Sequence, residues 1–264
     1  MKSMPREYTI MARSVSKIAD AAGARGVAPE ELYRAVGLEP GALADPDARI
    51  PFAQLVALYE HAARLTGDDA FGLHVGESAD PRLFDVLGYV LVNSPTLGEA
   101  LGRLVRYHSI WCEGAFFELN ADDSLVRLAY RYADGLTAAR RHDCEMTLSI
   151  AVTFGRRVTG VDWAPREVSF EHARPRSVAE HRRIFRAPVR FGRPACELTF
   201  DASLLALPIR KADPGLRDIL DRRAEELLVK LPRAEGLADE VRRLLGEALR
   251  GGDPRLEAVS RKLG

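Results

Sequence analysis

Ala115-Phe-Phe-Glu-Leu-Asn-Ala-Asp-Asp-Ser-Leu-Val-Arg-Leu-Ala-Tyr-Arg-Tyr132 is the stretch whose reading decides the fold. Two runs, 115–120 and 124–132, flank the polar turn Asn120-Ala-Asp-Asp123, the pattern of a β-hairpin. In the second run Val126, Leu128, Tyr130 and Tyr132 alternate with Arg127, Ala129 and Arg131. A period of two puts an apolar-aromatic face on one side of a strand and a mostly charged face on the other.

Outward from the hairpin the spacing turns helical. Thr96 followed by Glu99 forms a capping box before a helix over 97–111. Upstream, the spacing predicts helices over 14–26, from Pro29 to Gly37, and from Pro51 to about Thr66, the last with Leu55, Leu58, Tyr59, Ala62 and Leu65 on one face. Asp80 caps a further segment with Pro81 at its first position and Leu83, Phe84, Leu87 and Val90 as its stripe. Downstream, a long helix over 137–159 is followed by a strand over 168–172, a helix over 177–185, short strands over 189–191 and 197–200, and a helix over 215–230. Helices interrupted by hairpin-like strands define an α+β class, mostly helical with short antiparallel strands, and not a doubly wound parallel sheet.

The 264 residues are 47% hydrophobic, 29% charged and of formal net charge zero, so the chain can bury a large core and has no global field to draw in nucleic acid or anionic lipid. No apolar run approaches the ~20 residues of a membrane span, and the polar N-terminus lacks a signal-peptide core. Three widely spaced cysteines, Cys112, Cys144 and Cys196, argue for a reducing cytoplasm and against a disulfide framework.

The C-terminal section orders its elements like the opening of a DNA-binding domain. Leu237, Val241, Leu244, Leu245, Ala248 and Leu249 share one helical face, Gly251-Gly-Asp-Pro254 breaks it, and Leu256, Val259 and Leu263 follow at helical spacing before Gly264. This reads as the first part of a helix-turn-helix cut before its recognition helix, so the expectation is a sensor portion with negligible DNA binding of its own. The helix pair 14–26 and 29–37 mimics such a motif, but Glu30, Glu31 and Glu39 surround its second helix.

A set of short motifs runs through the chain in a fixed order. It comprises Gly37-Leu38, Asp45-Pro46-Asp47-Ala-Arg49, Thr66-Gly67-Asp68, Phe71-Gly72-Leu73 and Gly88-Tyr89. Ser94-Pro95-Thr96-Leu97-Gly98-Glu99-Ala100-Leu101, Tyr107, Val168-Ser-Phe170-Glu-His172-x-x-Pro175, Phe185-x-x-Pro188-Val189-x-Phe191, Leu198-x-Phe200 and Leu207-Pro208 follow. In this order, over 28–208, the chain resembles the effector-binding half of AraC-like transcription regulators, in the branch that includes ornithine-responsive regulators. Arg186 and Cys196 depart from the pattern, which usually has a small and a polar residue there. The resemblance implies an effector-binding domain over 1–210, a linker helix over 211–236 and the start of a helix-turn-helix domain over 237–264. It implies a small-molecule effector, promoter DNA as a partner of the intact protein only, a homodimer, and no membrane partner.

Motifs for chemistry are missing. There is no nucleophile elbow, phosphate loop or dinucleotide fingerprint, and so no cofactor and no enzyme are expected. The six histidines show no metal-ligand spacing, so no metal is expected either. A sensor needs an apolar cavity with a few convergent polar groups. Tyr107, His108, Trp111, Tyr130, Tyr132 and His172 are the candidate effector-binding residues, being aromatic or amphipathic and placed between the 97–111 helix and the 168–172 strand. Arg141 and His142 at a helix start offer a place for a carboxylate. The alternative is a ligand-independent dimerisation or scaffold module, using the Leu216, Ile219, Leu220, Leu227 and Leu228 stripe.

Overall fold

The computed structural model of the chain describes residues 7–45, 47–133 and 139–231. Its first elements are ones the sequence pattern misses: two three-residue strands, β1 (Thr9–Met11) and β2 (Arg49–Pro51), paired antiparallel with Ile10 opposite Ile50. Three residues are too few for an alternation to show. The pair is held instead by a side chain: Arg49 Nε donates to Thr9 Oγ1 at 2.7 Å and its Nη1 to the Ile110 carbonyl at 2.9 Å.

Five helices follow in the first half: α1 (Ser14–Gly23), α2 (Pro29–Ala35), α3 (Phe52–Thr66), α4 (Phe71–Ser78) and α5 (Asp85–Val92). α1 stops three residues short of the expected Gly26. The segment after Asp80 is two elements, because Asp85 takes a positive φ of 53° between a 3-10 turn (Pro81–Phe84) and α5. Asp80 caps as expected, its side chain accepting from the Arg82 N–H at 2.9 Å. Leu65, expected on the apolar face of α3, is exposed. α6 (Leu97–Trp111) begins with Thr96 accepting from the Glu99 N–H at 3.2 Å. The reciprocal half of the box is replaced by an ion pair from Glu99 to Arg103.

β3 (Ala115–Ala121) and β4 (Leu125–Tyr132) form the expected hairpin, with Phe117 opposite Tyr130. Asp122 closes it by accepting from the N–H groups of Ser124 and Leu125 at 2.9 and 2.8 Å, an Asx turn. After α7 (Arg141–Thr159) come β5 (Glu167–Ser169), α8 (Ala179–Phe185), β6 (Val189–Arg190), β7 (Cys196–Asp201) and α9 (Pro214–Lys230). The sheet order is β3-β4-β7-β5-β6. All its pairs are antiparallel except β5 and β6, which run parallel. The expectation of antiparallel strands misses this pair, because the α8 crossover returns the chain to the same end of the sheet. The fold class is α+β, as the hairpin implied. The chain divides into two units after Glu225. The expected helix-turn-helix opening at 237–264 lies outside the described residues.

α6 and α7 cover the apolar face of the sheet, where Val126, Leu128 and Tyr130 are buried. On its other side α7 packs against α4 at very short range. A Cβ on Gly72 would overlap the His142 carbonyl, and one on Gly76 would overlap the Met146 carbonyl. Backbone cannot move aside as a flexible side chain does. Gly76→Ala is therefore expected to lower stability by at least the ~1–3 kcal/mol of ordinary overpacking, read as a fall in the urea midpoint with an unchanged slope. A midpoint equal to the parent's would show that the two helices do not meet this closely.

Candidate functional site

A cavity in the first unit, open on one side, has the form of a ligand site. Its volume is about 120 Å³, and it lies between α1, α3, α5, α6, α7 and the hairpin. Its wall is built from helical stripes. α6 contributes Leu104, His108 and Trp111, at i, i+4 and i+7, and α7 contributes Asp143, Thr147, Ile150 and Phe154, at i, i+4, i+7 and i+11. Phe117 and Tyr130 close the sheet side, Phe52 and Leu55 the α3 side, and Leu87 and Leu91 the α5 side.

Two buried polar groups set its chemistry. His108 donates from Nδ1 to the Ala115 carbonyl at 3.0 Å, so in the neutral ring Nε2 is an acceptor. Burial holds its pKa down at about 4, outweighing that hydrogen bond, and the ring is neutral at physiological pH. Asp143, 1% exposed, accepts from the hydroxyls of Tyr132 at 2.7 Å and Tyr130 at 3.2 Å. Burial pushes its pKa up to about 6 in spite of both phenols. Burial also raises the pKa of the Cys112 thiol on the same wall, which stays protonated. Arg13 and Lys17 of α1 reach the cavity from its part-exposed side. Arg13 is paired with Asp47 and Asp85.

Of the six candidate residues, His108, Trp111 and Tyr130 line this cavity. Tyr132 stands behind it, bonded to Asp143, stacked on Phe52 at 6.2 Å and covered by the Arg140 guanidinium. Tyr107 is not on the wall: one residue is about 100° of helix rotation, and its hydroxyl instead donates to Glu225 of α9 at 2.6 Å. His172 lies beside Glu145 and His181 in a separate buried cluster. Arg141 and His142 do meet a carboxylate, that of Glu145 on their own helix, at 2.8 and 3.5 Å.

Asp143 was missed because Arg141-His-Asp-Cys-Glu145 reads as a solvated helix start. Its helical register with Thr147, Ile150 and Phe154 was the signal that places it on an inward face. Cys144 and Cys196, far apart in sequence, bring their sulfurs to 2.8 Å as free thiols.

The comparisons with known proteins agree with this architecture. Residues 26–209 match the family described as the arabinose-binding domain of AraC transcription regulators, N-terminal. The chain belongs to that family. It is 28% identical over 239 residues to the ornithine utilization regulator of Pseudomonas aeruginosa, covering 90% of this chain and 70% of the relative. It is 30% identical over 115 residues to an uncharacterized HTH-type transcriptional regulator of Mycobacterium tuberculosis, covering 42% of this chain and 33% of the relative. In fold it resembles the crystal structure of the transcriptional regulator CdpR from Pseudomonas aeruginosa, with a TM-score of 0.52 and 20% identity over 89% of this chain and 73% of that one. The expected family and fold class are thereby borne out. Among the described residues no helix is long and apolar enough to cross a membrane.

The buried neutral His108 ties stability to pH. Its folded pKa of about 4 lies below the ~6.5 of an unfolded histidine, so its contribution is complete above about pH 6.5 and is lost as the pH falls towards 4. The shift corresponds to ~3 kcal/mol. His108→Gln is expected to be less sensitive than the parent to acidification over this window, by about that amount, in urea titrations at a series of pH values. Parallel curves for the two proteins would show that His108 is not held neutral.

Proposed function

We propose that this chain is the effector-sensing part of a bacterial transcription regulator, and that the α6–α7 cavity is its effector site. The observation that carries the reading is the cavity itself. At ~24 cal/mol per Å³, leaving about 120 Å³ unfilled forgoes about 3 kcal/mol, which a ligand-independent scaffold has no reason to forgo.

The wall selects a class of ligand. Its size is close to the ~150 Å³ apolar cavity that accommodates benzene, so it suits one ring or a short alkyl chain. His108 Nε2 and the Asp143 carboxylate are acceptors, so the complementary group is a donor, a hydroxyl or an amine. The Pseudomonas relative is named for ornithine utilization. Here a zwitterionic diamino acid would leave charges against Leu, Phe and Trp side chains. A small phenol, which is neutral, or a monoamine whose single ammonium faces the Asp143 carboxylate fits better.

α6 gives the route from ligand to output. One face presents Leu104, His108 and Trp111 to the cavity, and another binds α9 through Arg103 to Asp221 at 3.1 Å and Tyr107 to Glu225. A ligand with different affinities for two settings of α6 would shift how α9 is held, and with it the action of a helix-turn-helix domain on promoter DNA. On this reading residues 1–210 sense, 211–236 link and 237–264 open the DNA-binding domain, in a cytoplasmic homodimer.

A thermal-shift screen of phenols and short-chain amines tests the site. A ligand at 100 times its Kd adds ~2.7 kcal/mol to the parent. Ala151→Trp, which fills the α7 wall, is expected to abolish that shift. The assignment fails if no such compound stabilises the parent, or if stabilisation survives in the filled variant.

A further inference from the structure

Two residues on from Asp143, and so about 200° round α7, the Glu145 side chain is completely buried. It meets histidines from distant parts of the chain. Its Oε1 lies 3.0 Å from Nε2 of His181, on α8, and 3.5 Å from Nε2 of His172, in the segment after β5. Ligand atoms of Glu145, His172 and His181 all fall within 4.8 Å of one another.

The hydrogen bonding of this cluster does not close on itself. His172 Nδ1 is 2.9 Å from the Ala173 carbonyl, which can only accept, so Nδ1 carries the proton of the neutral ring and Nε2 a lone pair. That lone pair faces the Glu145 carboxylate, and Nε2 has no hydrogen-bond partner among the described residues. Two acceptors at this distance repel, and the Arg141 guanidinium that bonds the same oxygen donates nothing to His172 Nε2. Glu145 Oε2 is also without a partner. The nearby His142 Nδ1, at 3.5 Å, already accepts from the Gly72 N–H and has no proton to give.

We propose that Glu145, His172 and His181 form a binding site for a divalent transition-metal ion of the zinc type. Zinc binds imidazole nitrogen at ~2.0–2.1 Å and carboxylate oxygen at ~2.0–2.2 Å, which sets neighbouring ligands about 3.3–3.5 Å apart in a tetrahedron. The two carboxylate–imidazole distances, 3.0 and 3.5 Å, bracket this spacing, and the ligand atoms, all within 4.8 Å of one another, close in on the ion as it binds. The bond from His172 Nδ1 to a backbone carbonyl is the outer contact that fixes a metal-binding imidazole in the correct tautomer. Two imidazoles and one carboxylate suit zinc or cobalt, while the all-oxygen sets preferred by magnesium and calcium are absent from the cluster. His172 is part-exposed and gives the ion its way in. Arg141 opposes it: its Nε donates to Glu145 Oε1 at 2.8 Å, although Nη1 is anchored on Asp69. That charge lowers the affinity below that of a site without it.

The full chain, stripped with a chelator, is titrated with Zn²⁺ by calorimetry and with Co²⁺ by visible absorption. One equivalent of each is expected to bind, with a rise in Tm and the d–d bands of a low-coordinate nitrogen–oxygen site for cobalt. His172→Gln keeps a polar side chain at a part-exposed position. It is expected to weaken binding by at least the ~10–100-fold that loss of even an outer partner costs, with the metal-free Tm and circular dichroism unchanged. The proposal is overturned if neither ion binds. It is equally overturned if His172→Gln binds as the parent does, which would place the ion on other histidines such as His61 or His74.

Discussion

The close approach of α4 to α7 is the constraint from which the rest of the molecule is built. Gly72 and Gly76 sit one helical turn apart and let the two backbones meet where any Cβ would strike a carbonyl. That contact presses α7 between α4 on one side and the sheet on the other. Its first turns are consequently buried almost all round, although they carry His142, Asp143, Cys144 and Glu145. Polar groups in such a position need local partners, and each finds different ones. Asp143 takes two phenols at the cavity edge, Cys144 takes the Cys196 thiol, and Glu145 takes Arg141 and His181 on one oxygen. Both candidate sites of the protein are therefore consequences of one helix being held where a helix start is normally wet.

The same logic separates α6 into two surfaces. Its inward face is apolar apart from the neutral His108, while its other face is a row of arginines answered by the acids of α9. α6 therefore touches the cavity and a charged seam at once. The cavity side is tuned by volume, the α9 side by ion pairs that are part-exposed and individually weak.

The high arginine content serves structure more than charge. Arg49 bridges β1 to the end of α6, and Arg156 of α7 donates to the carbonyls of Trp163 and Ile184, both at 2.7 Å, tying the loops around α8 to the core. A planar guanidinium with several fixed donors suits this task in a way lysine does not. Exposed pairs such as Arg183 with Glu77 balance the surface, in keeping with a formal net charge of zero. They add little stability.

Periodicity alone determined the hairpin, the helices α3, α6, α7 and α9, and the α+β class, because each is a local pattern long enough to be read against its neighbours. The motif order over 28–208 was enough to identify the family. β1 and β2 were invisible because three-residue strands acquire meaning only from a partner about 40 residues away. The parallel β5–β6 pair depended on a crossover direction that no single segment encodes. His108, Trp111 and Tyr130 were legible as wall residues from their amphipathic character. Tyr107 and His172 have the same character, and only the rotation of α6 and the path of the chain after β5 sent them elsewhere. Spacing along the chain gave no hint that Glu145, His172 and His181 converge, since ligands drawn from a helix, a loop and another helix share no period. Side-chain chemistry is written in the sequence; which acid meets which histidine is decided by how closely two glycines allow two helices to pack.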